Sequence, residues 1–120
     1  MMKHSDITEK IIKAAFNVHN VLGFGFREHV YHKAMCIELK NLGLNFKSQK
    51  FFDVLYENMI VGRFIADLFV EEVVIVELKA VEDYKIAFEA QLLNYLRSSG
   101  LSVGLIINFE KTVKIKRMVL

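Results

Sequence analysis

Two adjacent apolar runs constrain the fold of this chain more than any other feature of its sequence. Residues 59–70 and 73–78 are β-branched and aromatic, apolar on both faces, and separated by Glu71-Glu72. This pattern is typical of two central strands in a sheet that is covered on both sides. Each run also holds a carboxylate, Asp67 in the first and Glu77 in the second. Charged residues in such positions are usually paired or coordinate something.

The length of the turn between the two runs decides whether Asp67 and Glu77 can meet. A loop of Glu71-Glu72 alone would place Val76 opposite Asp67, and Glu77 would then face away. A loop of three residues, 71–73, or a bulge would place Glu77 opposite Asp67. A metal site shared by the two carboxylates requires the second arrangement.

Two converging carboxylates need a cation between them. About 5 Å apart at an effective dielectric of about 20, they would repel by roughly 3 kcal/mol. Lys79 points to the same side of its strand as Glu77 and would offset part of that charge. Mg²⁺ or Mn²⁺ would use the carboxylate oxygens directly, together with a backbone carbonyl and waters. On spacing alone, Asp67 and Glu77 fit at least as well an alternative in which they mark strand ends and pair with surface lysines.

Periodicity predicts the remaining elements. In chain order they are helices at 7–22 and 28–42, strands at 44–56, 59–70 and 73–78, a helix at 83–99, and strands at 101–109 and 113–119. The order α-α-β-β-β-α-β-β, with a parallel crossover over 73–109, predicts a mixed sheet with helices on its faces. Asp6 and Glu9 are spaced as a capping box for the first helix. Even-numbered residues of 44–56 are expected on one side of their strand, and 113–119 is expected at a sheet edge.

Composition limits the architecture and the compartment. With 120 residues, 53% of them hydrophobic, the chain predicts a single domain over 1–120. A formal net charge of +2 is too small to identify a nucleic-acid binder by bulk electrostatics and does not exclude one. Cys36, the single cysteine, cannot form an internal disulfide and is expected to be a small buried hydrophobe. Residues 1–6 lack the apolar core of a signal peptide, and no apolar run approaches the roughly 18 residues of a membrane span, so we expect a cytoplasmic protein.

Five motifs that occur in a fixed order carry a resemblance. They are Val18-His19 with Leu22-Gly23, the G-x-x-E-x-x-Y stretch at 25–31, Ala66-Asp67, Val-Glu-Leu-Lys-Ala at 76–80, and Gln-Leu-Leu-Asn-Tyr-Leu at 91–96. Together they resemble the GxxExxY protein family, whose members resemble the PD-(D/E)XK nuclease superfamily in its exonuclease-like branch. The resemblance covers nearly the whole chain. It implies an α/β (α+β) fold with a restriction-endonuclease-like core, in which helices flank a mixed central sheet.

The resemblance also implies a metal centre. Glu28 would be the helix-borne acid near the metal, and Asp67 and Glu77 would be metal ligands. The backbone carbonyl of Leu78 would complete the protein ligands, and the ion would be Mg²⁺ or Mn²⁺. These assignments come from the family pattern and not from spacing.

Three further residues receive roles from the same resemblance. Lys79 would orient or polarise the attacking water and stabilise the developing charge on the phosphate. Gln91 and Tyr95, four apart on one helix face, would hold that lysine or the substrate backbone beside the metal; considered alone, they fit equally a polar helix border. The chain departs from the family at Phe88, where a histidine is common.

The histidines admit a structural and a metal-binding interpretation. His19 matches the family pattern, and a satisfied core histidine on an otherwise apolar helix face is favoured over a ligand. His29 and His32, three apart, have a spacing that can bind a metal, but a solvated helix face is favoured.

These expectations define two functions. The first is a metal-dependent nuclease that hydrolyses phosphodiester bonds in nucleic acid, DNA in preference to RNA. The second is a non-catalytic module that keeps the nuclease-like fold and binds nucleic acid or a protein partner. Self-association as a homodimer is expected for either, because a core of this size offers little surface with which to hold a duplex and two-fold dimers are the commonest assembly.

Overall fold

The structure, a computed structural model, describes residues 3–120, and within them three helices and five strands follow the predicted order. The elements are α1 (Ser5–Leu22), α2 (Glu28–Asn41), β1 (Phe46–Tyr56), β2 (Met59–Val70), β3 (Val74–Lys79), α3 (Ala87–Ser99), β4 (Val103–Phe109) and β5 (Val113–Val119). Met1 and Met2, part of the stretch that was tested for a signal peptide, lie outside the described residues. The predicted α/β class and element order are confirmed.

All five strands form one mixed sheet in the order β1-β2-β3-β4-β5. Neighbouring strands are antiparallel except β3 and β4, which are parallel and are joined through α3. The parallel crossover is therefore present, and β5 lies at a sheet edge as its alternating lysines predict. β1 forms the other edge.

Two apolar clusters cover the two faces of the sheet. The first lies under α1 and α2 and includes Ile11, Met35 and Leu105, all fully buried. The second lies under α3 and includes Leu92 and Leu96. Hence β3 and β4 are buried on both faces, as the near-continuous apolar runs of parallel strands predict.

Two predicted helix starts are wrong. α1 begins at Ser5, because His4 adopts a left-handed backbone (φ 55°) and its carbonyl accepts the first helical hydrogen bonds; Asp6 therefore lies inside the first turn and does not form a capping box with Glu9. α3 begins at Ala87 and not near residue 83. The residues between β3 and α3 must carry the chain from the sheet onto its face, and that irregular crossing replaces the first predicted turn.

The prediction that one side of β1 holds all its even-numbered residues is also wrong. Phe46 packs against the first cluster, whereas Phe52 packs against the second. Between them Gln49 has a left-handed backbone, with φ 55°. A left-handed residue interrupts the pleat, so side chains on either side of it no longer alternate in phase.

β2 changes side at the matching position. Ala66 belongs to the cluster under α3 and Leu68 to the cluster under α1 and α2, although regular alternation would put both on one face. Pairing between β1 and β2 passes from Leu68 to Ala66 and omits the step at which Asp67 and Gln49 lie opposite each other. Asp67 thus sits where the hairpin changes face.

The outer half of the β1–β2 hairpin extends beyond the rest of the sheet. β3 pairs only with residues 68–70 of β2. The large apolar side chains of the outer half are exposed, and we call this group the hairpin patch: Phe51, Leu55, Tyr56, Met59, Ile60, Val61 and Ile65. The expectation that residues 59–70 are covered on both faces is therefore correct only for their inner half.

Gly104 allows α3 to approach β4 closely, and we expect Gly104→Ala to destabilise the fold. A Cβ at Gly104 would lie 2.9 Å from Leu92 Cδ1, and the Leu92 side chain is fully buried. Overpacking of this kind costs roughly 1–3 kcal/mol, measurable as a lower urea midpoint. Gly62→Ala is the matched control, since its Cβ would meet only Val54 Cβ at 4.0 Å. Equal midpoints for the two variants would contradict the prediction.

Candidate functional site

The candidate site lies where the pairing of β2 and β3 ends. Three residues, 71–73, connect these strands, and Leu68 pairs with Val76 at the last hydrogen-bonded step. Continued by one step, this register places Asp67 opposite Glu77. The three-residue alternative is therefore correct, and both carboxylates lie at the same point of the sheet.

The two carboxylates hold the parting strands together. The backbone N–H of Asp67 donates to Glu77 Oε2 over 3.1 Å, and the backbone N–H of Leu78 donates to Asp67 Oδ2 over 2.8 Å. Each side chain thus satisfies a donor on the opposite strand where the ladder stops. Leu78 participates through its N–H; the predicted role of its carbonyl as a metal ligand stays a prediction.

Glu77 is buried, with 7% of its surface exposed, so the alternative of a surface ion pair is wrong for this residue. Burial first, and then the negative charge of Asp67, raise the pKa of Glu77 to about 8. The hydrogen bond from Asp67 and the charge of Lys79 act in the opposite direction, and Glu28 adds to the rise. A proton or another cation is therefore required to neutralise this position near pH 7.

Glu28, the first residue of α2, lies in the same electrostatic environment. Although this residue is exposed, partial removal of its carboxyl from water, followed by the negative charge of Asp67, raises the pKa of Glu28, while Lys79 opposes the rise. The structure thus places the three predicted acids and the predicted lysine near enough for their charges to influence one another. They arrive from α2, β2 and β3.

The contacts of Tyr31 account for the spacing of Gly25, Glu28 and Tyr31 in the G-x-x-E-x-x-Y motif. The Tyr31 hydroxyl donates to the carbonyl of Gly23 over 2.7 Å, and its ring stacks on Phe109 with centroids 4.5 Å apart. Gly25, in the same loop, has φ 106°, a conformation that favours glycine. Tyr31 therefore ties the loop before α2 to the core and fixes where Glu28 begins the helix.

Phe88 contacts the candidate lysine. The Nζ atom of Lys79 lies over the Phe88 ring, 4.4 Å from its centroid, which is cation–π geometry. Among the ion pairs formed within residues 3–120, none involves Lys79. The residue that departs from the family pattern is therefore the one that holds the ammonium group.

Asn108 is a buried residue of the site region that sequence reasoning did not single out. It pairs with Lys79 across the parallel strands, its Oδ1 accepts from the N–H of Val81 over 3.0 Å, and its Nδ2 donates to the Val81 carbonyl over 2.9 Å. Asn108 thus fixes the chain just after Lys79. The signal was available, because an amide within a run of buried apolar residues requires partners.

Tyr95 and Gln91 differ in their relation to the acids. The Tyr95 ring stacks on Phe64 with centroids 3.9 Å apart, and partial burial followed by the charges of Glu77 and Asp67 raises the pKa of Tyr95. Gln91 is exposed one turn earlier on α3, and none of the side-chain hydrogen bonds found within residues 3–120 involves it. Its contact with lysine or substrate stays a prediction.

The histidine expectations are partly confirmed. His19 Nε2 lies 2.7 Å from the carbonyl oxygen of Glu110, so it is a satisfied structural histidine. His32 Nε2 lies 2.7 Å from Ser48 Oγ in an exposed contact, and the solvated helix face expected for His29 and His32 stays a prediction. The part of β1 that contains Ser48 lies beside α2. Periodicity alone could not predict this arrangement.

The donor set suits a hard divalent cation in chemistry but is not arranged as a finished ligand set. Glu28, Asp67 and Glu77 offer carboxylate oxygens, the donors that Mg²⁺ prefers. Within residues 3–120, however, no three His, Cys, Asp or Glu side chains are grouped so that they could hold a metal ion. One oxygen of Asp67 and one of Glu77 accept backbone N–H groups instead.

Comparisons with known proteins agree with this fold. A family model of the PD-(D/E)XK nuclease superfamily matches residues 5–118. The crystal structure of SSO0001 superposes with a TM-score of 0.62 at 16% identity, covering 96% of this chain. This chain spans 58% of the length of that one, and a likeness at such identity speaks to the fold alone. No curated protein matches the chain.

Within residues 3–120, no helix is both long enough and apolar enough to cross a membrane.

The raised pKa of Glu77 predicts how stability depends on pH in metal-free protein. Between the ordinary value of 4.5 and about 8, the folded state holds a proton that the unfolded state releases, so stability falls as pH rises through this window. Glu77→Gln keeps an acceptor and removes the ionisation. We expect its melting temperature in EDTA to exceed that of the wild type by a few degrees at pH 8, and by less at pH 5.

Glu57→Gln provides the control for this measurement, because Glu57 is exposed at the hairpin turn. It removes the same charge without relieving a buried carboxylate. A pH-independent difference between Glu77→Gln and the wild type, or an equal effect of Glu57→Gln, would contradict the assignment.

Proposed function

The chain belongs to the PD-(D/E)XK nuclease superfamily, and we propose that it is a metal-dependent nuclease that hydrolyses phosphodiester bonds, in DNA in preference to RNA. The observation that supports this proposal is that Asp67 and Glu77 lie opposite each other where β2 and β3 separate, with Glu28 and Lys79 near enough for their charges to act on the Glu77 carboxyl. Three acids around one lysine leave an excess of negative charge. A divalent cation would neutralise that charge, and the same superfamily generally uses such ions.

Each charged residue then has a defined task. Mg²⁺ or Mn²⁺ would be held by Glu28, Asp67 and Glu77 with the Leu78 carbonyl, and when bound it would lower the pKa of a water and clamp phosphate oxygens. Lys79 would donate to a phosphate oxygen and stabilise the charge that develops there.

The neighbouring residues orient this chemistry. Phe88 holds the Lys79 ammonium group through its ring face, a contact that does not neutralise the charge. Tyr95, whose ring is fixed against Phe64, presents its hydroxyl from α3, and Gln91 on the same helix would contact the substrate backbone. The substrate backbone would therefore be contacted from the α3 side.

Three further properties are part of the proposal: the family, the domain organisation and the location. We propose that the chain belongs to the GxxExxY family within the superfamily, supported by the G-x-x-E-x-x-Y stretch at 25–31, whose Tyr31 hydroxyl donates to the Gly23 carbonyl. We also propose that residues 1–120 form a single domain, since both clusters pack on one sheet. A cytoplasmic location is proposed because Cys36 is the single cysteine.

A non-catalytic binding module is the second candidate. It is favoured by the hydrogen bonds that commit one oxygen each of Asp67 and Glu77 to the backbone, and by Phe88 in place of the usual histidine. Such a module would bind nucleic acid without dependence on metal and without turnover.

The nuclease is tested with purified protein, Mg²⁺ or Mn²⁺, and labelled single- and double-stranded DNA and RNA. We expect cleavage that EDTA abolishes. Asp67→Asn keeps the acceptor for Leu78 N–H and removes the charge, and Lys79→Ala removes the ammonium group. Each should lower the rate by roughly 10²–10³, the typical effect of deleting one group that stabilises transition-state charge.

Lys10→Ala is the matched control for Lys79→Ala, because Lys10 is exposed on α1 away from the site. Its rate should equal that of the wild type. Cleavage that persists in both site variants would identify a contaminant and reject the nuclease, whereas metal-independent binding without turnover would select the second candidate.

We further propose that the chain forms a two-fold dimer through the hairpin patch. The patch is an exposed apolar surface on the hairpin that forms one edge of the sheet, and the neighbouring Asp53 and Arg63 neutralise each other beside it. A two-fold interface brings the same surface of both chains together, and an apolar surface without net charge can pack against its own copy. A large exposed apolar surface of this kind typically marks an interaction site.

Light scattering after size exclusion tests the dimer. We expect the wild type at twice 13.9 kDa and Ile60→Lys at 13.9 kDa, because a charge in the patch would be desolvated on association. Ile60 is far along the hairpin from Asp67, so the variant leaves the candidate site intact. Val21→Lys, at an exposed apolar position on α1, should remain a dimer. A monomeric wild type would refute the proposal.

A further inference from the structure

A cavity of about 680 Å³ opens beside the candidate site, between α2 and β1. Glu28, Lys33 and Ile37 line it from the helix, and Ser48 and Gln49 line it from the strand. No role in hydrolysis has been assigned to its residues other than Glu28.

The cavity is continuous with the candidate site at two points. Glu28 belongs to both, since it is one of the predicted acids of the site and also lines the cavity from the first residue of α2. Gln49, on the opposite wall, lies across from Asp67 in the register of β1 and β2. A ligand in the cavity would therefore lie next to the acids.

The cavity wall combines the groups that recognise a nucleotide. Ile37, 63% exposed, offers apolar surface, and the rings of His29 and His32 offer planar faces. Gln49 carries an amide that can both donate to and accept from a base edge, and Lys33 is an exposed cation suited to a phosphate. Unpaired bases are bound in this way, by planar and apolar contacts combined with hydrogen bonds to their edges.

The wall is also held in a defined conformation. Gln49 keeps a left-handed backbone that is unfavourable for a residue with a side chain, and such residues concentrate at ligand clamps. The bond between His32 and Ser48 Oγ ties the helix wall to the strand wall. Burial raises the pKa of the Cys36 thiol, so this residue contributes neutral surface to the cavity.

We propose that this cavity receives an unpaired nucleotide of the substrate next to the bond that is cut, so that the protein selects single-stranded or frayed DNA over intact duplex. Bases in an intact duplex are stacked and paired, and must leave the helix before they can enter a side cavity. The inference rests on the proposed function, since it assigns a substrate class to the same site.

Binding in EDTA tests the cavity without any requirement for cleavage. The probes are a fluorescein-labelled single-stranded deoxyoligonucleotide, its blunt duplex and the same strand with abasic positions, followed by fluorescence anisotropy at one fixed salt concentration. We expect the single strand to bind roughly tenfold more tightly than the duplex or the abasic strand, the scale of one stacked base.

Two cavity variants and one control locate the binding. Gln49→Gly accepts the left-handed backbone and removes the amide, so it should lose most of the preference for the single strand. Lys33→Ala removes the cation and should lose most of the affinity for the single strand. Lys40→Ala is the matched control, an exposed lysine on α2 that does not line the cavity, and should bind as the wild type does. Circular dichroism verifies that each variant is folded.

The outcomes separate this inference from the nuclease. Equal affinity for single strand and duplex, or a preference that both cavity variants retain, would overturn the inference even if DNA is cleaved. Conversely, single-strand binding in EDTA that depends on Gln49 and Lys33, without cleavage in Mg²⁺ or Mn²⁺, would reject the nuclease and support the cavity as a nucleotide site.

Discussion

The reciprocal hydrogen bonds between the strand segments of Asp67 and Glu77 are the constraint on which the rest of the site depends. Backbone pairing stops at Leu68, and two carboxylates take over the donors that the separating strands would otherwise leave unpaired. This creates an opening in the sheet lined with acid, at the cost of burying Glu77 with its pKa raised to about 8. A cation that binds here must displace that proton, which couples metal affinity to pH.

Around this opening, residues without a chemical role position those that carry charge. Tyr31 fixes the loop from which Glu28 starts α2, and Asn108 fixes the chain that leaves β3 after Lys79. Both residues bond to the backbone, so their effect on the acids is geometric. The charged groups of this site lie on three separate elements. A shift of one loop would move one charged group away from the others, so each element needs its own support.

The sequence predicted the element order from period and count, whereas the place of Glu28 beside Asp67 and Glu77 followed only from the family resemblance. The sequence left open whether two or three residues form the turn after β2, and the three-residue turn of the structure places Asp67 opposite Glu77. The change of face at Gln49 could not be predicted in the same way, since a left-handed residue resets the alternation from which the prediction was made. Exposure of the outer hairpin was missed for a different reason: residues such as Ile60 have strand propensity whether or not anything covers them.

Phe88 is best understood through what it does to Lys79. A buried carboxylate paired directly with a lysine would neutralise its ammonium group, and a phosphate would have to compete with that carboxylate for the lysine. Above an aromatic ring the ammonium group is oriented by a weaker attraction and keeps its full positive charge and its donors. An aromatic ring at this position therefore adds no titratable group beside Lys79 and fixes the position of its ammonium group.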